Sequence, residues 1–253
     1  MNEMVFFLGG CDLEMQEIRK LLESSRVRFY DRELAWNTAF LSVYEPEMRL
    51  FADSSQYTLY GVELQNDIVP SANYRLIDHH NERSDREASL IQVARLLGKD
   101  LTPYMRLVAA NDSRYIPGME ALGATRREIE AIRAADRKAQ GVTAEEECLA
   151  ERAIGENREL IGDLVVVRAF ASRFSPICDR LYPYDKLLVY TEAEFVYYGK
   201  GKDELVHRFQ AELAEGKMYH GGGDRGYVGT VKNAFTESEL LQMIAIIKRN
   251  NHV

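Results

Sequence analysis

Apolar positions in the first part of the chain fall in short runs separated by amphipathic stretches. Val5-Phe6-Phe7-Leu8 reads as a strand, Gly9-Gly10 as a turn, and Met15, Ile18, Leu21 and Leu22 as one face of a helix. Val27 to Tyr30 supplies a second strand, so the chain opens as βαβ, the unit of a parallel sheet with helices on its faces. Phe40 to Tyr44 reads as a third strand or a helix end. Tyr57 to Leu64 and Tyr74 to Ile77 are the fourth and fifth β-rich runs, and both finish beside charged or polar groups. Ser84-Asp85-Arg86-Glu87 then has capping-box spacing, with Leu90, Ile91, Ala94 and Leu97 at helical intervals and Gly98 as terminator. Thr102-Pro103 opens a further helix that runs toward Asn111-Asp112.

From Thr125 to about Arg158 the residues are mostly Ala, Glu, Arg and Lys, with caps at Thr125/Glu128 and Thr143/Glu146. That pattern predicts two solvated helices acting as a connector. Beyond it come three strands, Leu164 to Val167, Leu187 to Tyr190 and Glu194 to Tyr198. A helix over about 203–215 follows, with Val206, Phe209 and Leu213 on one face, then a glycine-rich turn and a last helix carrying Leu240, Ile244 and Ile247. The expected architecture is α/β: a parallel-sheet domain over 1–120, a helical connector over 121–160, and a smaller α/β domain over 161–253.

Composition narrows the chemistry. A net charge of -8 argues against an extended nucleic-acid groove, because tracking a long phosphate backbone leans on clustered Lys and Arg. A small phosphorylated or nucleotide ligand in a local pocket remains compatible. Cys11, Cys148 and Cys178 form no metal-binding spacing and no disulfide framework, which points to a reducing cytoplasm. No stretch reaches membrane length, and a homodimer is allowed.

The strongest chemical signal is Leu76-Ile77-Asp78-His79-His80-Asn81, an apolar strand that runs straight into an acid and two imidazoles. In a parallel sheet the strand exits share one edge, where ligands bind. Four groups of acids belong to such exits: Asp12 with Glu14, Glu63, Asp78 with its histidines, and Asp112 beyond a helix. Each acid alone reads as well as an N-cap or a surface charge; together they suggest a site for a divalent metal and a phosphate. Asp67 is the alternative to Glu63, which is preferred because it ends its strand. Trp36 and the tyrosines read as packing groups, and His207 as a surface residue.

The Asp-His-His run, the downstream Val108-Ala109-Ala110-Asn111-Asp112 and the late Gly221-Gly222-Gly223-Asp224 turn together resemble the DHH phosphoesterase superfamily. That superfamily includes single-strand exonucleases, oligoribonucleases, cyclic-dinucleotide phosphodiesterases and manganese inorganic pyrophosphatases. The resemblance implies that Asp12 and Glu14 each bind one of two metals, that Glu63 bridges them, and that His79 and Asp112 complete the shell of the second. It implies too that Asp78 orients the neighbouring imidazole and that His80 meets the substrate phosphate. The family's first motif carries a histidine four residues before Asp-x-Asp; here position 8 is leucine and the motif is Asp12-Leu13-Glu14. The turn resembles the family's Gly-Gly-Gly-His signature with Asp224 in the histidine's place, so Arg225 would have to meet an anion there, with Arg114 a further phosphate contact.

These features lead to an expected metal-dependent phosphoesterase. It would use a Mn²⁺-activated water, with one or two ions and Mg²⁺ as the alternative, on a small nucleotide or short oligonucleotide. The altered first motif and Asp224 give the competing expectation of a catalytically impaired DHH-like protein that binds a nucleotide or a protein partner. Inorganic pyrophosphatase fits less well, because the turn lacks a Lys/Arg cluster.

Overall fold

The computed structural model describes residues 2–52, 54–222 and 226–251. The chain divides into two compact units, 1–141 and 142–253. The two helices of the expected connector therefore fall one to each unit.

In the first unit, strands β1 (Glu3–Leu8), β2 (Arg28–Asp31), β3 (Tyr57–Val62) and β4 (Tyr74–Ile77) form a parallel sheet in the order β2-β1-β3-β4. The run Val5 to Leu8 is apolar at every position because β1 lies in the interior of the sheet, with both faces covered. Around it, Phe6 stacks on Tyr60 at 4.9 Å and Phe7 on Tyr30 at 5.4 Å. The register sets Leu8 beside Val62 and Val62 beside Ile77. The residues after these three positions therefore leave the sheet at one edge, as the βαβ pattern predicts.

The helices of this unit are α1 (Leu13–Ser24), α2 (Glu45–Met48), α3 (Ser89–Leu96), α4 (Pro103–Ala121) and α5 (Arg126–Ala139). Helices α1, α3, α4 and α5 pack on one another. Ile18, Leu22, Leu90, Val93, Val108 and Met119 are fully buried there. The segment expected as a third strand or a helix end is a 3-10 turn, Leu41–Tyr44, and it packs Leu41 and Tyr44 with Phe7 and Leu59.

Two helix expectations change. Ser84 does not cap α3: it closes the 3-10 turn 81–83, and α3 begins at Ser89, with no side-chain cap from its own N-terminal residue. A tertiary group does that work, since Leu90 N–H donates to Glu14 Oε1 at 3.1 Å. Helix α5, expected to be solvated, buries Ile132, Arg133, Asp136 and Arg137 against its neighbours.

The second unit holds α6 (Ala144–Asn157), β5 (Arg158–Ile161), β6 (Leu164–Arg168), α7 (Ser175–Leu181), β7 (Lys186–Tyr190), β8 (Phe195–Gly199), α8 (Lys202–Arg208), α9 (Gln210–Ala214), β9 (Met218–Gly221), β10 (Tyr227–Thr230) and α10 (Glu237–Arg249). Its sheet runs β5-β6-β7-β8-β10-β9, with only β6 and β7 parallel. The helix expected over 203–215 is two pieces that meet at Phe209. One sheet face packs Leu164, Val166, Leu188 and Phe195 against Leu240, Ile244 and Ile247. The other packs Val167, Leu187 and Val196 against Ala150, Ala153 and Ile177. No helix among the described residues is long and apolar enough to cross a membrane.

Candidate metal centre

The shared strand edge and helix α4 bring five side chains of the first unit together. After β1, Gly9-Gly10 turns the chain close under β3; a Cβ on Gly9 would lie 2.7 Å from the Glu63 carbonyl oxygen and 2.8 Å from that of Val62. Asp12 then N-caps α1, its Oδ1 accepting from Met15 N–H at 2.9 Å. Glu14 sits in the first turn, 1% exposed, with Oε1 capping α3 and Oε2 lying 3.4 Å from His79 Nε2. Glu63 follows β3 with φ at +54°, a left-handed conformation uncommon for a side-chain-bearing residue, and its Oε1 lies 3.5 Å from the same nitrogen. Asp112 Oδ2 approaches to 2.7 Å.

Helix α4 delivers Asp112 because it breaks just after it. Tyr115 has φ +56° and ψ -149°, and Pro117 removes a backbone donor from the next turn. Holding Tyr115 there costs about 1–3 kcal/mol. The Arg133 guanidinium lies 4.6 Å from the Tyr115 ring centroid and helps to hold it.

Ligand atoms of Glu63, His79, His80 and Asp112 all lie within 4.8 Å of one another. Glu14 Oε2, both Glu63 carboxylate oxygens, His79 Nε2 and Asp112 Oδ2 are buried and make no hydrogen bond of proper geometry. Buried polar atoms are rarely left in this state. Burial, then the charge of Asp112, pushes the Glu14 carboxyl well above its usual range, and burial followed by Asp112 and Glu63 does the same to Asp12. Burial opposes a charge on His79, but the carboxylates of Asp112, Glu14 and Glu63 outweigh it and push the imidazole up to about 12. A crowd of inward-facing carboxylates with imidazoles is a donor set that fits a divalent cation such as Mn²⁺.

Asp78 does something different. Its Oδ1 accepts from His80 N–H at 3.0 Å and lies 3.1 Å from His80 Nδ1, while Arg83 donates to Oδ2 at 3.3 Å. Burial would raise its carboxyl, but these contacts outweigh it and lower it. The imidazole that Asp78 braces is thus that of His80, which also packs edge-on against Trp36 at 4.5 Å. Position 8 is filled by a buried leucine, whose carbonyl accepts from Tyr44 O–H at 2.6 Å. Asp67, the alternative to Glu63, is turned outward to bond the backbone and hydroxyl of Ser42.

Sequence reasoning missed the layer behind the acids. Arg133 donates to Asn111 Oδ1 at 2.9 Å and to Asp136 Oδ2 at 2.7 Å, and Asp136 Oδ1 accepts from Leu13 N–H at 3.3 Å. One buried pair on α5 thereby holds the residue before Asp112 and the residue between Asp12 and Glu14. The spacing Ile129, Ile132, Arg133, Asp136 was the available signal, an apolar stripe that continues in charged residues.

Arg114 is exposed on α4, two residues past Asp112. In the second unit, Gly221 ends β9 and Gly222 has φ +63°, with its carbonyl accepting from Lys202 Nζ at 3.3 Å. Gly223, Asp224 and Arg225 lie outside the described residues.

No family model matches the chain, and no curated protein does. Among solved structures it is similar to a DHH-domain member of the s1p family of ribosomal proteins, with 12% identity and a TM-score of 0.54 over 99% of this chain and 87% of that one. It is also similar to PggH, a pGpG-specific phosphodiesterase from Vibrio cholerae, with 10% identity and a TM-score of 0.51 over 99% of both chains. Together with the strand-edge cluster built around Asp78-His79-His80, these likenesses show that the chain has the fold of the DHH superfamily.

Proposed function

We propose that the chain is a metal-dependent phosphoesterase acting on a small nucleotide or a short oligonucleotide. The observation that carries this reading is the convergence of buried, hydrogen-bond-free atoms of Glu14, Glu63, His79 and Asp112 on one point. These side chains, with Asp12 beside them and His80 within ligand reach, would hold one or two Mn²⁺ ions; Mg²⁺ fits the carboxylates but favours imidazole less. A divalent ion there supplies a Lewis acid and lowers the pKa of a water that can attack phosphorus. His80, braced by Asp78, would present its free Nε2 to a phosphate oxygen, and Arg114 would meet charge developing on the phosphate.

The test is hydrolysis of bis(p-nitrophenyl) phosphate and of a dinucleotide with and without Mn²⁺. Activity should require the ion and be lost in His79→Ala and Asp112→Ala; full activity in both variants overturns the reading. Leucine at position 8, where the family has a histidine, favours a second reading, a nucleotide-binding protein without catalysis. Less than one tightly held transition metal per purified chain, with no hydrolysis, would establish that alternative.

A further inference from the structure

Backbone strain gathers where the metal centre is built. Of the six described residues other than glycine with positive φ, three, Glu63, Asn81 and Tyr115, lie in the segments that carry the centre's donors. Glu63 is itself one of those donors, and asparagine tolerates a left-handed backbone. Tyr115 is neither. Its angles, φ +56° and ψ -149°, fall in a corner of backbone space that glycine alone enters without strain. A strained residue persists only where its surroundings hold it, so the Tyr115 side chain must do something there that glycine would not.

The ring lies over Arg133. Its centroid is 4.6 Å from the guanidinium carbon, within the range of a cation-π contact. Arg133 is 8% exposed, and its Nη1 donates both to Asn111 Oδ1 at 2.9 Å and to Asp136 Oδ2 at 2.7 Å. Two bonds from one nitrogen hold only while the guanidinium plane keeps its orientation, and a ring on its face fixes that plane. Asn111 directly precedes Asp112 and Tyr115 follows it by three residues, so one guanidinium grips the chain on both sides of that donor. Asp136 extends the grip to Leu13 N–H, between Asp12 and Glu14. The turn itself is tightly closed: a Cβ on Gly118 would lie 2.5 Å from the Ala110 carbonyl oxygen and 2.7 Å from Arg114 Cβ. Ile116 and Met119, just past the break, are buried and anchor its far side.

Resting on the metal-dependent phosphoesterase reading, we propose that Tyr115 is a positioning residue of the metal centre, whose ring holds Arg133 and through it the Asn111-Asp112 segment in the ligating arrangement. It touches neither ion nor substrate. The strain in its backbone is retained because glycine, which would relieve the strain, would remove the ring as well.

Three variants of the full chain, Tyr115→Phe, Tyr115→Ala and Tyr115→Gly, separate the ring from the strain. Each is measured for Mn²⁺ affinity by calorimetry and for its denaturant midpoint. Phenylalanine keeps the ring, alanine keeps the strained Cβ without the ring, and glycine removes both, so the midpoint should be higher in Tyr115→Gly than in Tyr115→Ala. Mn²⁺ affinity should nevertheless fall about tenfold in both, the low end of the cost of losing an outer-shell partner, and stay within about threefold of the unaltered chain in Tyr115→Phe. A role in folding alone would make affinity follow the midpoint across the series. That result, an unchanged affinity in Tyr115→Gly, a midpoint no higher in Tyr115→Gly than in Tyr115→Ala, or a loss in Tyr115→Phe as large as in Tyr115→Gly overturns the proposal. Tyr115→Gly and Tyr115→Phe decide the matter even where Tyr115→Ala does not fold. Mn²⁺ binding by the unaltered chain without hydrolysis of bis(p-nitrophenyl) phosphate overturns the phosphoesterase reading alone and leaves the positioning result standing; absence of Mn²⁺ binding overturns both.

Discussion

Helices α5 and α6 are near twins in sequence terms. Each runs fourteen residues, each opens with a threonine and a glutamate in a reciprocal capping box, and each is built mainly from Ala, Glu and Arg. They end in opposite roles. Helix α5 buries Arg133, Asp136 and Arg137, and through them holds the residues next to Asp12, Glu14 and Asp112. Helix α6 buries only Ala150 and Ala153, and its charges face outward. A charged helix is therefore not a solvated helix by default: a guanidinium and a carboxylate can enter the interior together when each meets the other and a backbone or amide partner.

The difference can be broken most strongly at Asp136. Asp136→Ala removes the carboxylate that meets the buried Arg133 guanidinium and should cost about 3–5 kcal/mol in denaturant unfolding. The matching removal on α6, Glu151→Ala, breaks a solvent-exposed pair with Arg180 and should cost about 0–1 kcal/mol. If the two costs agree within about 1 kcal/mol, the contrast between the helices is false. Replacing the pair together, Arg133→Met with Asp136→Leu, should recover most of the stability, because apolar isosteres often match a buried ion pair. Mn²⁺ affinity measured by calorimetry should stay low in that double variant, about 10–100-fold below the unaltered chain, since nothing then holds Asn111 or the Leu13 N–H. Recovery of both properties would reduce the pair to packing. The smallest effects should be equal: Thr125→Ala and Thr143→Ala remove the same local cap and should each cost about 1 kcal/mol. Unequal cap costs would show that tertiary context reaches even the helix ends.

The cap at Ser84 makes the same point from the other side. Thr125, Thr143 and Thr236 all cap as their spacing predicts, because the partner is three residues away and exposed. Ser84 has the same spacing, yet α3 starts five residues later, where Glu14, 76 positions away in sequence, supplies the acceptor. A buried carboxylate that needs a donor and a helix N-terminus that needs an acceptor satisfy each other, and that outweighs a local cap in water. The break in α4 at Tyr115 was likewise hidden; Pro117 hinted at it, but the stacking on Arg133 comes from another helix.

The order of apolar runs by itself determined the parallel sheet of the first unit and the single edge from which Asp12, Glu14, Glu63 and His79 leave it. Strand periodicity is local, and parallel connections admit few topologies. The Asp78-His79-His80 run marked where chemistry belongs. Only the tertiary structure decided that Glu63 turns inward while Asp67 turns out to Ser42, and that Asp78 braces His80. It alone also showed that α5 stands behind the acids and that the Tyr115 ring lies over the Arg133 guanidinium. The physical reason is common to all four. Side-chain direction and the pairing of charges depend on contacts between residues far apart in sequence, and average composition or local spacing carries no record of them.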